Sequence, residues 1–74
     1  MFWLNADKAT NIYKLHEESC VYAVPKETEY KGIEEMRRDG GWFKFETYDE
    51  AYRYYRRTRP NAIWQPCRVC NPKK

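Results

Sequence analysis

The sequence has no hydrophobic run long enough to cross a membrane. Its longest uninterrupted apolar stretch, residues 20–24, is far shorter than a membrane span. Residues 1–4 are too few for the core of a signal peptide, and no basic leader precedes them. We therefore expect a soluble, intracellular protein of the cytoplasm that has no membrane partner.

Cysteine and histidine are scarce, with three cysteines and one histidine in the chain. An odd number of cysteines fits a disulfide framework poorly, although one disulfide plus a free thiol is the alternative interpretation. The chain also has only three glycines and no Gly-rich phosphate loop, and a single histidine leaves no second one to act as a general base. We expect a protein that is not an enzyme and has no small-molecule substrate.

Acidic residues are missing from the C-terminal third. Residues 1–50 carry seven basic and eleven acidic side chains, whereas residues 51–74 carry seven basic side chains and no acid. The formal charges of the two parts are therefore −4 and +7, which sum to the net +3 of the chain. Such asymmetry is typical of a surface that binds a polyanion, and it is equally compatible with an acidic half folded against a basic half.

The length predicts one domain over residues 1–74, because 74 residues cannot supply two hydrophobic cores. A chain this short buries only roughly 60% of the surface that it exposes when unfolded, so its core alone is marginal. Three Trp, seven Tyr and three Phe provide large apolar areas. A structural metal would add a cross-link whose binding energy becomes folding energy.

The spacing of apolar residues predicts a small α+β domain with a short antiparallel sheet. Residues 2–4 and 11–15 have the pattern of a hairpin, and residues 42–46 alternate like a half-buried strand. Thr47 and Glu50 form a capping box before a helix at about 48–58, whose core-facing stripe should leave Tyr54 outside. A second helix is predicted at about 29–38, ended by two glycines.

The remaining polar motif is a set of metal ligands. Cys67 and Cys70 form a Cys-x-x-Cys turn between prolines, and His16 and Cys20 lie four positions apart. A redox Cys-x-x-Cys normally opens a helix, and Pro72 leaves no helix here. Four ligands of these types match a tetrahedral structural zinc, so we predict one Zn²⁺ per chain held by His16, Cys20, Cys67 and Cys70.

At these residues the sequence resembles the zinc-binding domain of Ada-type DNA repair proteins. The resemblance spans roughly residues 11–72: an upstream ligand pair, a strand with phenylalanines, a Thr-Tyr-Asp-Glu-Ala helix start, and Pro66-Cys67-x-x-Cys70-x-Pro72. It implies a small α+β fold of a few antiparallel strands and flanking helices around one zinc.

Two features depart from the Ada-type pattern. The repair domain has cysteine at all four ligand positions, and the first of them accepts a methyl group from a DNA methylphosphotriester. Here His16 stands at that position, so methyltransferase activity is not expected. Cys20 and Cys67 are also separated by 46 residues, more than in the repair domain, and we place the additional length in residues 25–41.

The basic residues of the C-terminal third, together with one tyrosine, predict binding to the phosphate backbone of DNA or RNA. These residues are Arg53, Tyr54, Arg56, Arg57, Arg59 and Arg68, followed by the tail Lys73–Lys74. The alternative is a zinc-stabilised protein-interaction module, a small regulator, inhibitor or adaptor, since Trp, Tyr and Arg dominate interface hot spots. A continuous basic surface on the helix, the Cys-x-x-Cys turn and the tail would favour nucleic acid. Pairing of the helix arginines with Glu34, Glu35 or Asp39 would favour the protein partner.

Overall fold

The computed structural model describes residues 1–25 and 27–72 and contains one five-stranded sheet with one helix. The tail Lys73–Lys74 lies outside the described residues. In chain order, the elements are β1 (Phe2–Asp7), β2 (Ile12–Glu17), β3 (Lys31–Ile33), β4 (Gly40–Phe45), α1 (Tyr48–Thr58) and β5 (Ile63–Pro66). The small α+β fold predicted from the sequence is confirmed.

The strand order is β3-β4-β1-β2-β5, and the sheet is mixed. β1 pairs antiparallel with β2 and β4, but β2 pairs parallel with β5, and β3 pairs parallel with β4. The predicted short antiparallel sheet is therefore confirmed for β4, β1 and β2, and the prediction is wrong for the two outer pairs, which are parallel. The α1 segment connects β4 to β5 at the far edge of the sheet. Because a helical crossover of this kind joins parallel strands, β5 runs in the same direction as β4.

The hairpin of β1 and β2 is confirmed, with Leu4 opposite Leu15 and Ala6 opposite Tyr13. Its connection includes Asn11 at a φ of 61°, a left-handed conformation that asparagine tolerates better than most residues. Because successive side chains of a strand point to opposite faces, Tyr13 and Leu15 share one face and His16 lies on the other.

The hydrophobic core lies between one face of the sheet and α1. Its fully buried side chains include Leu4, Tyr13 and Leu15 from the central hairpin. The helix contributes Ala51 and Tyr55, whose hydroxyl donates a hydrogen bond of 2.6 Å to the carbonyl oxygen of Ala62. The opposite face of the sheet, which carries His16 and Trp42, is covered by no helix of the described residues. We call it the open sheet face.

The helix begins and ends where the sequence predicts. The Oγ1 atom of Thr47 accepts a hydrogen bond of 3.2 Å from the backbone N–H of Glu50, which satisfies one of the free amides of the first turn. At the other end, the N–H of Arg59 donates to the carbonyl oxygen of Tyr55, and Pro60 follows.

The prediction that Tyr54 lies off the core stripe is wrong. The Tyr54 ring packs 4.9 Å from Phe43 and 5.5 Å from Phe45, measured between ring centroids, and it also faces Tyr13. Tyr52, which the spacing placed in the stripe, is 40% exposed. The aromatic residues of β4 extend the core toward the Tyr54 side of the helix, so the buried face centres on Ala51 and Tyr55.

The predicted helix at 29–38 is also wrong, because these residues form two tight turns around β3. The Oγ1 atom of Thr28 accepts hydrogen bonds from the N–H groups of Tyr30 and Lys31, which closes a turn in place of a first helical turn. Glu34 adopts a φ of 57°, which no right-handed helix allows. Gly32 and Gly41 lie against the Glu35 carbonyl with no space for a Cβ atom.

Candidate metal centre

Strand pairing brings the four predicted ligands together. In the parallel pair of β2 and β5, Leu15 lies opposite Pro66, and the N–H of Cys67 donates a hydrogen bond of 2.8 Å to the Leu15 carbonyl oxygen. His16 follows Leu15 and Cys67 follows Pro66, so His16 and Cys67 are neighbours as well. Cys20 lies in the turn after β2, where its N–H donates a hydrogen bond to the Glu17 carbonyl oxygen. Cys70 lies in the turn after β5.

The ligand atoms of His16, Cys20, Cys67 and Cys70 all lie within 4.8 Å of one another and could hold a metal ion. The Sγ atoms of Cys20 and Cys67 are 3.9 Å apart, well beyond the bond length of about 2.05 Å in a disulfide. All three cysteines are free. The alternative of one disulfide plus a free thiol therefore does not describe this structure.

The group is buried and partly hydrogen-bonded by the backbone. His16 is 3% exposed, and Cys20 and Cys67 are also buried. The N–H of Glu17 donates to the Sγ atom of Cys70 at 3.2 Å, and Asn71, with a φ of 48°, donates its N–H to the carbonyl oxygen of Cys67. These bonds fix the two loops that present the sulfur atoms.

His16 has a buried ring nitrogen, its Nδ1 atom, that is unpaired among the described residues. A buried polar atom is costly without a partner, and a bound metal ion would supply one. The Trp42 ring stacks on the imidazole, with 6.0 Å between centroids and planes inclined by 26°. The tryptophan thus holds the imidazole plane from one side.

The protonation of the group suits metal binding at the imidazole. Burial, followed by the positive charge of Lys14, lowers the pKa of His16, which favours the neutral ring that metals require. Burial, together with the neighbouring thiols of Cys20 and Cys67, raises the pKa of Cys70 to about 11 against the opposing hydrogen bond from the Glu17 N–H. Burial opposes ionisation of Cys67 as well, but hydrogen bonds from the N–H groups of Cys70 and Val69 and from the two neighbouring thiols together lower that pKa.

The predicted nucleic-acid residues fall on two sides of the sheet. The helix residues Arg53, Arg56 and Arg57 are exposed and lie opposite the buried face of α1, and Arg59 is exposed at its C-cap. Arg68 instead lines a cavity on the open sheet face. The described residues therefore do not form one basic surface that joins the helix arginines to the Cys-x-x-Cys turn.

Tyr54 does not present a free ring to a base. One side of its ring packs in the core, and the Arg57 guanidinium lies 5.8 Å from the ring centroid. Burial raises the pKa of its hydroxyl, and the charge of Arg57 partly opposes that change. The prediction that Tyr54 stacks on a base required an exposed ring, and the Tyr54 ring is instead packed against the core.

Three acidic residues of the 25–41 segment, Glu27, Glu35 and Asp39, form ion pairs within the same segment. Arg37 bonds Glu27 at 2.9 Å and Glu35 at 3.0 Å, and Arg38 pairs with Asp39 at 3.3 Å. The other ion pair of the described residues joins Lys44 to Glu18, and none of these pairs includes an arginine of α1. The pairing of the helix arginines with Glu34, Glu35 or Asp39 that would favour a protein partner is not observed among the described residues.

A cavity that the sequence did not predict lies beside the four residues His16, Cys20, Cys67 and Cys70, which we call the metal group. It has a volume of about 390 Å³, and its floor is formed by Asn5, Lys14 and Gln65 from three adjacent strands. Two of the ligands, His16 and Cys67, also border it. Strand alternation alone places Lys14 on the same face as His16, and this signal could have revealed the cavity floor.

No protein-family model, curated protein sequence or solved structure matches the chain. The resemblance to Ada-type domains therefore stays a prediction. No helix of the described residues has the length and apolar character needed to cross a membrane.

Proposed function

We propose that the four-residue group holds one structural zinc ion. In a tetrahedral site with Zn–S bonds of about 2.3 Å, two thiolate sulfurs lie about 3.8 Å apart. The Sγ atoms of Cys20 and Cys67 are 3.9 Å apart. Three sulfur donors and one imidazole also favour zinc over the hard, oxygen-binding cations. Thiolate ligands persist in a reducing compartment, which supports a cytoplasmic location.

The proposed zinc would have a structural role. Four protein ligands fill a tetrahedral shell and leave no position for a substrate or a water molecule. His16 occupies the position at which the Ada-type resemblance implies a methyl-accepting cysteine, and an imidazole ligand does not carry out that thiolate alkylation. We therefore propose a module without catalytic activity.

The function that the geometry supports best is binding to nucleic-acid phosphates through α1. With about 100° between successive helical residues, Arg53, Arg56 and Arg57 fall within an arc of about 100° opposite the core. The observation that carries the proposal is that these arginines are exposed while three acidic residues of the 25–41 segment pair with Arg37 or Arg38 instead. Guanidinium groups bind phosphate oxygens in a bidentate manner. The Ada-type resemblance favours DNA.

Salt-dependent affinity tests this proposal. The zinc-loaded chain is titrated with fluorescent duplex and single-stranded probes between about 50 and 200 mM salt. The variant Arg53→Ala/Arg56→Ala is compared with Lys8→Ala/Arg38→Ala, which loses the same charge from other elements. For the first variant we expect the slope of log affinity against log salt concentration to become shallower by about 0.9 for each duplex phosphate contact that is lost. No binding to any probe at low salt would exclude the proposal.

A protein-interaction module remains the second candidate function. Four large apolar side chains are exposed on the two loops of the metal group: Val21, Tyr22, Val24 and Val69. Exposed apolar residues that cluster in this way mark interaction surfaces. Absence of nucleic-acid binding combined with a partner that protects these residues would favour this function.

A further inference from the structure

The cavity on the open sheet face has the size and construction of a small-ligand site. Its volume of about 390 Å³ is within the range of roughly 300–1,000 Å³ that such sites occupy. Rigid elements form its floor, because Asn5, Lys14 and Gln65 lie on the adjacent strands β1, β2 and β5. Tyr22 and the Arg68–Val69 turn form its rim.

One residue of the cavity floor has an unpaired, buried acceptor. Among the described residues, two buried side-chain polar atoms have no hydrogen-bond partner, His16 Nδ1 and Asn5 Oδ1. A metal ion bound by His16 would account for the first. Asn5 borders the cavity, and a ligand donor that reaches its buried oxygen would account for the second. The neighbouring Gln65 amide can both donate and accept a hydrogen bond.

The charges that border the cavity are positive. Lys14 and Arg68 line it, and no described carboxylate is among its lining residues. This composition favours an anionic ligand. Tyr22, which is 59% exposed, offers an aromatic surface at the rim. The site therefore combines an aromatic surface, a buried amide acceptor and two cations.

We propose that this cavity binds one unstacked nucleotide. The base lies against Tyr22, a base N–H donates to the Oδ1 atom of Asn5, and the phosphate contacts Lys14 and Arg68. Every nucleobase carries an N–H or amino donor on its pairing edge, which is accessible only when the base is unpaired. The ligand is either a free nucleotide or one residue of a single strand. This inference rests on the proposed affinity for nucleic acid, but it uses the face of the sheet opposite the helix arginines.

An acidic peptide fits the same site less well. Its carboxylates would pair with Lys14 and Arg68, and a backbone N–H could donate to Asn5 Oδ1, but its acidic side chains offer no planar ring to stack on Tyr22. A nucleotide supplies the anion, the planar ring and the donor in one molecule. The observations therefore favour the nucleotide, and the peptide becomes an outcome of the test.

Amide NMR spectra of the zinc-loaded full chain provide the test. The probes are the individual nucleoside monophosphates, a short single-stranded oligonucleotide, its duplex, and an acidic peptide. We expect the monophosphates and the single strand to shift the side-chain amide signals of Asn5 and Gln65. Tighter binding of the single strand than of every monophosphate would identify nucleic acid as the source of the nucleotide, and equal affinity would identify the free nucleotide.

Matched variants locate the ligand. Lys14→Met and Arg68→Met should each weaken binding of the monophosphates, whereas Lys8→Met, which removes the same charge outside the cavity, should not. Tyr22→Ala should reduce affinity about fivefold or more, and Tyr22→Phe, which keeps the aromatic ring, should preserve it. Folding of each variant is checked by its amide dispersion.

The outcomes separate this inference from the helix proposal. If oligonucleotides bind and depend on Arg53 and Arg56, while the Asn5 and Gln65 amides do not shift and Lys14→Met binds normally, the cavity inference fails and the helix proposal stands. If monophosphates bind in the cavity but the helix variants have no effect on any probe, the cavity inference stands and the helix proposal fails. Shifts caused by the acidic peptide alone would overturn the nucleotide in favour of a protein ligand.

Discussion

The hydrogen bond of 2.8 Å from the N–H of Cys67 to the carbonyl oxygen of Leu15 continues the β2–β5 pairing into the metal group. Because of this bond, His16 and Cys67 are placed by the same strand register that builds the sheet. The metal group and the sheet edge are therefore one structural unit. If a metal ion is bound by this group, its removal should release β5 as well as the Cys-x-x-Cys turn.

Replacement of a single ligand should unfold the domain. Cys67→Ser removes one buried sulfur donor. Metal binding contributes on the order of 10–16 kcal/mol in small zinc peptides, which is as large as the whole stability of a typical domain, about 5–15 kcal/mol. We expect loss of the native circular dichroism and amide dispersion. Ser19→Ala, at an exposed site in the loop beside Cys20, is the control. A Cys67→Ser variant with the native spectrum and full metal content would contradict this prediction.

Thr47→Ala should destabilise the start of α1. The substitution removes the acceptor of the 3.2 Å bond from the Glu50 N–H, and such N-cap losses cost about 1 kcal/mol. Urea unfolding of the zinc-loaded chain measures the change in the free energy of unfolding. Thr10→Ala, at an exposed position, is the control. Equal midpoints for the two variants would show that the cap contributes nothing.

Gly40→Ala should destabilise the centre of the sheet. Gly40 has a φ of 126°, and a Cβ atom there would collide with the carbonyl oxygen of Ala6 in the adjacent β1 strand. Backbone strain of this kind costs roughly 1–3 kcal/mol before the collision is added. We expect a lower thermal midpoint than for Lys44→Ala, an exposed position on the same strand. An unchanged midpoint would place Gly40 in a conformation other than the one described.

Tyr54→Ala should cost more stability than Arg53→Ala. The Tyr54 ring contacts Phe43, Phe45 and Tyr13, whereas Arg53 is exposed. For a half-buried aromatic residue we expect a loss of about 2 kcal/mol, below the cost of a fully buried one. Urea midpoints of the two variants test this difference. If Tyr54→Ala were as stable as the parent chain and weakened nucleic-acid binding, the base-stacking role would be restored.

Local patterns predicted much of this fold. The alternation of residues 12–16 separates Tyr13 and Leu15 from His16, and the Thr47 cap fixes the first turn of α1. The residues of the metal group could be predicted because they are all the cysteines and the only histidine of the chain. These features depend on neighbours in sequence or on residue type alone.

The features that the sequence did not predict depend on distant contacts. Residues 29–38 form turns because Gly32 and Gly41 allow the Glu35 backbone to lie close to β4. The spacing of apolar residues within this stretch does not reveal that contact. Tyr54 is buried because Phe43 and Phe45 face it from another element. The cavity requires three strands whose order is set only after folding.

We propose that one zinc ion, held by His16, Cys20, Cys67 and Cys70, keeps the domain folded. Metal content and circular dichroism of the same sample, followed during chelation and zinc re-addition, test this role. We expect one zinc per chain, unfolding as the metal is removed, and recovery of the spectrum when zinc is returned. A chain that remains folded without metal, with all three thiols free, would contradict it.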